Sequence, residues 1–167
     1  MKYSKIAKQI NEFAKNDQLL RNRIFSKPSI SEEDKKALED FDKNSSDFIK
    51  SIVSEICLPT ITKVGKKASY NSWLLVQHSR DLKFQKSYLG LLKQNEKDIN
   101  PANIAYLEDR VLMYGGKPQI YGTQFVLNKK TGKMVPYTIW DAANVNERRS
   151  KYNLGKLEEH IKTFYSN

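Results

Sequence analysis

Lys117-Pro118-Gln119-Ile120-Tyr121-Gly122-Thr123-Gln124-Phe125-Val126-Leu127-Asn128-Lys129-Lys130-Thr131-Gly132-Lys133-Met134-Val135-Pro136-Tyr137-Thr138-Ile139-Trp140 is the stretch where this chain abandons a helical spacing of apolar residues. Ile, Tyr, Thr, Phe and Val, which suit a pleated strand, dominate residues 117–128 and 134–140. Between them, residues 129–133 have the composition of a hairpin loop. Pro136 cannot donate to a ladder and puts the second strand at an edge. One hairpin in a chain otherwise patterned for helices predicts a mainly α fold, a bundle of about six or seven helices with one inserted β-hairpin.

Upstream, Tyr3, Ile6, Ile10, Phe13, Leu20 and Ile24 recur at three- and four-residue steps and predict a helix over 2–26 with a Lys-rich outer face. Pro28 ends it. Ser31, followed by Glu32, Glu33 and Asp34, reads as the N-cap of a second helix reaching Ile56, with Leu38, Phe41, Phe48 and Ile52 inward. This helical pair carries no chemistry of its own in the sequence. A loop with Gly65 leads to helices over 66–79 and 82–95, which either join or break. Asn100-Pro101 starts a fifth helix with Ile104, Leu107 and Val111, ending at Gly115-Gly116. Beyond the hairpin, Asn144 and Glu147 form a capping pair for a short helix, and Leu157, Ile161 and Phe164 mark a last one. A single domain over 1–167 is expected, with the helical pair over 1–57 and a core over 58–167.

The chain has 167 residues, 29 Lys and Arg against 19 Asp and Glu, and a net charge of +10. Such an excess invites a polyanion. Along the sequence it is spread evenly: +4 over residues 1–69, +5 over 70–149 and +1 over 150–167. Nucleic acid is therefore the weakest of the partner readings. One cysteine and two histidines argue against a disulfide or a multi-ligand metal site, and no metal or cofactor is expected. The N-terminus lacks the apolar stretch of a secretory signal, and no ~18-residue apolar run exists, so a cytoplasmic location without membrane contact is expected.

Trp73-Leu74-Leu75-Val76-Gln77-His78-Ser79-Arg80-Asp81-Leu82-Lys83-Phe84-Gln85 puts His78, Asp81 and Gln85 on one helical face if helix continues through it. Asp81 would then orient His78 as a general base. The competing reading makes His78 a satisfied core residue and Asp81 a cap. Asp109-Arg110 ends the fifth helix, where one residue can hold a polar cluster and the other an anion. A bulge at Gly122 would turn Gln119, Tyr121 and Gln124 to one side, two amides and a phenol suited to polar ligand edges. Arg148 and Arg149 lie in the first turns of a helix, where an anion is favoured. His160 reads as a surface residue.

The blocks over 73–85, 105–111, 116–124 and 145–149 resemble a bacterial domain family without an assigned function. Its pattern is W-x-L-V-Q-H-x-x-x-D-x-x-F-Q, where this chain has two residues and not three between His78 and Asp81, then A-Y-L-x-D-R-V, then G-K-x-Q-x-Y-G-T-Q, then V-x-x-R-R. The resemblance covers about half the chain and makes the N-terminal helices the variable part. It implies that His78, Asp81, Gln85, Asp109, Arg110, Gln119, Tyr121, Gln124, Arg148 and Arg149 share one site; it supplies no reaction.

Two functions follow as expectations. In the first, His78, Asp81 and Asp109 are catalytic, and Gln77, Gln85, Arg110, Gln119, Tyr121, Gln124, Arg148 and Arg149 bind a small anionic ligand, nucleotide-like among the options. Hydrolysis or group transfer then suits the site. In the second, the same residues bind a small ligand or a protein partner without turnover.

Overall fold

A computed structural model describes residues 2–163; Phe164, placed by the sequence in the last helix, lies outside them. The fold is mainly helical with one two-stranded antiparallel hairpin. The chain forms two compact units, Met1–Ile99 and Asn100–Asn167.

In the first unit, α1 (Ser4–Phe25) buries Ile6, Ile10, Ala14 and Ile24, the expected stripe. α2 (Glu32–Ile56) starts at a capping box: Ser31 Oγ accepts the Asp34 N–H, and the Asp34 carboxylate accepts the Ser31 N–H. Phe13 and Phe48 stack with ring centres 4.1 Å apart between the two helices. The segment read as a loop before Gly65 contains one helical turn, α3 (Ile61–Val64), whose Lys63 carbonyl accepts the N–H groups of Lys2 and Tyr3. α4 (Lys66–His78) packs against both α1 and α2. It does not join α5 (Leu82–Gln94). Ser79 is extended at the break, and Asp81 caps α5 by accepting the Phe84 N–H at 3.0 Å. Ile10, Ile24, Ile49, Leu58, Leu75, Tyr88 and Leu92 are fully buried here.

The second unit opens with α6 (Ala102–Tyr114), capped by Asn100 Oδ1 on the Ala102 N–H and ended by Gly116 at φ +69°. The strands are shorter than expected: β1 (Phe125–Asn128) pairs with β2 (Lys133–Pro136) in the register Phe125↔Pro136 to Asn128↔Lys133. Residues 117–124 are a loop with one bridge, Gln119↔Ile139. A strand there is overruled because a buried carboxylate takes three of its N–H groups, as described below. α7 (Val145–Ser150) lacks the expected capping pair. Asn144 turns its amide to Asp141, and Glu147 faces Lys151. α8 is Leu157–Thr163. No helix among the described residues is long and apolar enough to cross a membrane.

Candidate functional site

Each unit holds one concentration of polar side chains. In the first unit it centres on His78, at the C-terminus of α4. Its carboxylate partner is Asp17 of α1, and Asp81 does not take that role. Nδ1 lies 3.0 Å from Asp17 Oδ2, and Asp17 is buried. Arg21, one turn on from Asp17, brings its Nε to 2.9 Å from Asp17 Oδ1 and 3.0 Å from Nδ1, while its Nη2 donates to Asp42 of α2. Two tautomers are conceivable at Nδ1. An unprotonated Nδ1 accepts the Arg21 Nε–H, whereas a protonated Nδ1 donates to Asp17 Oδ2 and leaves the Arg21 Nε–H to Asp17 Oδ1. Nε2 is then the basic nitrogen, and it meets no hydrogen-bond partner among the described residues.

The two carboxylates are driven apart. Burial pushes Asp17 up, but the hydrogen bond and charge of His78, with the charge of Arg21, outweigh it and hold the group below the ordinary carboxylate range. At Asp42 burial prevails over Arg21 and His78, and the nearby Asp17 adds to it, so this carboxyl is raised. Asp42, Ser46 and Ser79 are the buried members of the wall of a cavity of about 330 Å³. Its rim carries Glu39, Lys43, Asp47, Lys50, Arg80 and Asp81. Lys50 pairs with Asp81 and Asp47, and Arg80 with Glu39. Lys43 meets no carboxylate within ion-pair distance among the described residues.

The other residues singled out in this segment serve the α4–α5 corner. Gln85 is fully buried and donates its amide to the carbonyls of Val76 and Ser79 at 3.1 and 2.8 Å. Gln77 is buried, and neither of its amide atoms has a partner among the described residues.

In the second unit the centre is Asp109, with no exposed surface. Its Oδ1 accepts the N–H groups of Ile120 and Tyr121 at 2.7 and 3.0 Å, and its Oδ2 accepts the N–H and hydroxyl of Thr123, both at 2.9 Å. Burial pushes this carboxyl up against those donors, which pull it down. The loop therefore folds around a carboxylate instead of pairing as a strand. Gln119 is fully buried, accepting the Gln124 N–H and donating to the Gln124 and Tyr137 carbonyls. Gln124 donates to the Tyr106 carbonyl and Thr123 Oγ1. Tyr121 donates its hydroxyl to Glu108, and burial, with the Glu108 charge, raises its pKa.

The arginines close the same loop. Arg148 donates to the carbonyls of Ile120, Trp140 and Asp141 and to the Asp141 carboxylate, with its guanidinium over the Trp140 ring. Arg149 is buried and donates to the Tyr121 and Gly155 carbonyls. Arg110 reaches the Tyr114 hydroxyl from the same helix, and its Nε is buried without a partner among the described residues. His160 is not the surface residue that was expected. It is half-buried, with ring edges against Tyr106 and Phe125, and burial followed by the Arg149 charge lowers its pKa.

Asp17, Arg21 and Asp42 lie in helices where no chemistry was expected. The signal was present. Asp17 follows Ile6, Ile10 and Ala14 at helical steps and precedes Ile24, so a charge sits on the buried stripe of α1, with Arg21 one turn on.

A family model matches residues 6–166. The chain belongs to DUF6624, a family of unknown function. The four sequence blocks fall inside that match, as do Asp17, Arg21 and Asp42. No curated protein and no solved structure matches the chain. Membership in DUF6624 thus carries no reaction, and chemistry has to be argued from the side chains.

Proposed function

We propose that the protein acts on a small molecule bearing an anionic group, by hydrolysis or group transfer, with His78 as the general base and acid. The observation that supports this reading is the buried Asp17 carboxylate 3.0 Å from Nδ1; with the proton on Nδ1, Nε2 is the proton acceptor. Asp17 fixes the ring and stabilises the imidazolium formed when Nε2 takes a proton. Asp42 and Ser79 on the neighbouring cavity wall support a small substrate, and Lys43 on the rim supports an anionic one. In this reading Asp81 holds α5 in place, and Asp109, Arg148 and Arg149 shape the loop of the second unit.

The test is a turnover screen with phosphate esters, carboxylic esters and amides. On any substrate turned over, His78→Ala is expected to cost about 10²–10⁴-fold in rate with the circular dichroism spectrum unchanged. Retention of the full rate by His78→Ala overturns the assignment. Thermal stabilisation by a panel compound that is not converted identifies a binding module instead.

A further inference from the structure

The charge of this chain is even when the sequence is divided coarsely, but not from helix to helix. α1, α3 and α4 together carry eight Lys and Arg against two Asp and Glu. α2 carries the reverse, four against eight. The helices of the first unit therefore divide into a basic group and an acidic one, which a count along the chain averages away.

The basic helices enclose a groove of about 550 Å³ between α1 and α4. Lys8 and Lys15, two turns apart on α1, and Lys67 on α4 line it. All three are exposed, and none meets a carboxylate within ion-pair distance among the described residues. Glu12 is the single carboxylate of the lining. Asn71 donates to Asn11 at 2.8 Å across the two helices, so the remaining amide atoms of this pair are available to a ligand, while Gln18 donates its amide to Asp17. Lys66 adjoins the patch, and the bonds from Lys2 and Tyr3 to Lys63 hold the start of α1 against the end of α3.

We propose that this groove binds the phosphodiester backbone of a single-stranded nucleic acid. Three unpaired ammonium groups and interleaved amides suit successive phosphates and sugar hydroxyls. The groove is concave and its only apolar lining residue is Ala14. A helix that lies in a bilayer surface presents a broad apolar face instead, so a strand fits where a membrane does not. Tyr70, exposed one helical turn beyond Lys67, lies outside the lining of the groove with its ring tilted against Trp73 at 5.2 Å, and its open side offers a surface on which a base can stack. The groove is lined by neither Asp17 nor His78, and this inference is independent of the catalytic proposal.

The test is fluorescence anisotropy with a fluorescein-labelled single-stranded oligouridine, a duplex of the same length, and vesicles containing phosphatidylserine. The wild type is expected to bind the single strand most tightly, more weakly as salt rises. Lys8→Gln, Lys15→Gln and Lys67→Gln together are expected to cost at least about tenfold in affinity and to reduce the log–log salt slope by about 2, as loss of three phosphate contacts requires. Lys35→Gln, Lys36→Gln and Lys83→Gln, which remove the same charge from α2 and α5, are expected to cost less than about twofold. Failure to bind the oligonucleotide, tighter binding of the duplex or the vesicles, or similar losses in the two triple variants would each overturn the proposal.

Discussion

Asp17 is a buried carboxylate whose cost is offset by a histidine and an arginine on the same two oxygens. Removing its charge while keeping its shape leaves Arg21 and His78 competing for a neutral amide. Asp17→Asn is expected to destabilise the fold by about 2–4 kcal/mol, read as a lower urea midpoint. The sign of the pH effect follows from its lowered pKa. The stability that Asp17 contributes is complete above the ordinary carboxylate range and is lost as pH falls through its depressed folded value. The gap in melting temperature between wild type and Asp17→Asn is therefore expected to be widest near neutrality and to close in acid. Asp109 runs the other way. Its raised pKa means that its ionisation opposes folding as pH rises. Asp109→Asn still destabilises, by about 2–4 kcal/mol, because an amide presents its own N–H groups to backbone donors. Chemical denaturation at neutral pH checks it.

The loop over 117–124 shows what element-level reading of the sequence captures and where it stops. Its β-formers are real, but strand propensity is a preference for a half-buried pleated surface. Here Asp109, eleven residues before Ile120, claims the backbone N–H groups that a ladder would have used. Spacing along one segment cannot reveal a partner on another element. Gly122 sits in a loop and not in the strand bulge that was expected. At φ +69° an added Cβ would lie 2.8 Å from Leu157 Cδ1 and 3.0 Å from Ile139 Cδ1. Gly122→Ala is expected to cost about 1–3 kcal/mol, measured by urea denaturation, from the left-handed backbone and the crowding together. The helices were readable because their signals are local: Ser31 with Asp34, Asp81 before Phe84, Gly115-Gly116 after α6. Ser31→Ala should lower stability by about 1 kcal/mol in the same assay.

Over the whole molecule, mainly helical architecture with one hairpin followed from a single change of hydrophobic period. The candidate site was readable only in part. His78 was identifiable as a residue at the end of an apolar helix, but its partner lies 61 positions away, on a helix that looked purely structural. The carboxylate nearest in sequence, Asp81, was the attractive choice and serves as a cap. The net charge of +10 was equally deceptive, since a coarse division of the chain averages the basic α1, α3 and α4 against the acidic α2. The central claim, that Asp17 holds His78 with its proton on Nδ1 and Nε2 free to take one, is tested most directly by a long-range ¹H–¹⁵N NMR spectrum of the neutral histidine ring. A protonated Nδ1 and an unprotonated Nε2 in the wild type, with that preference lost in Asp17→Asn, is the predicted result. A wild-type ring protonated on Nε2, or one indifferent to Asp17→Asn, would contradict it.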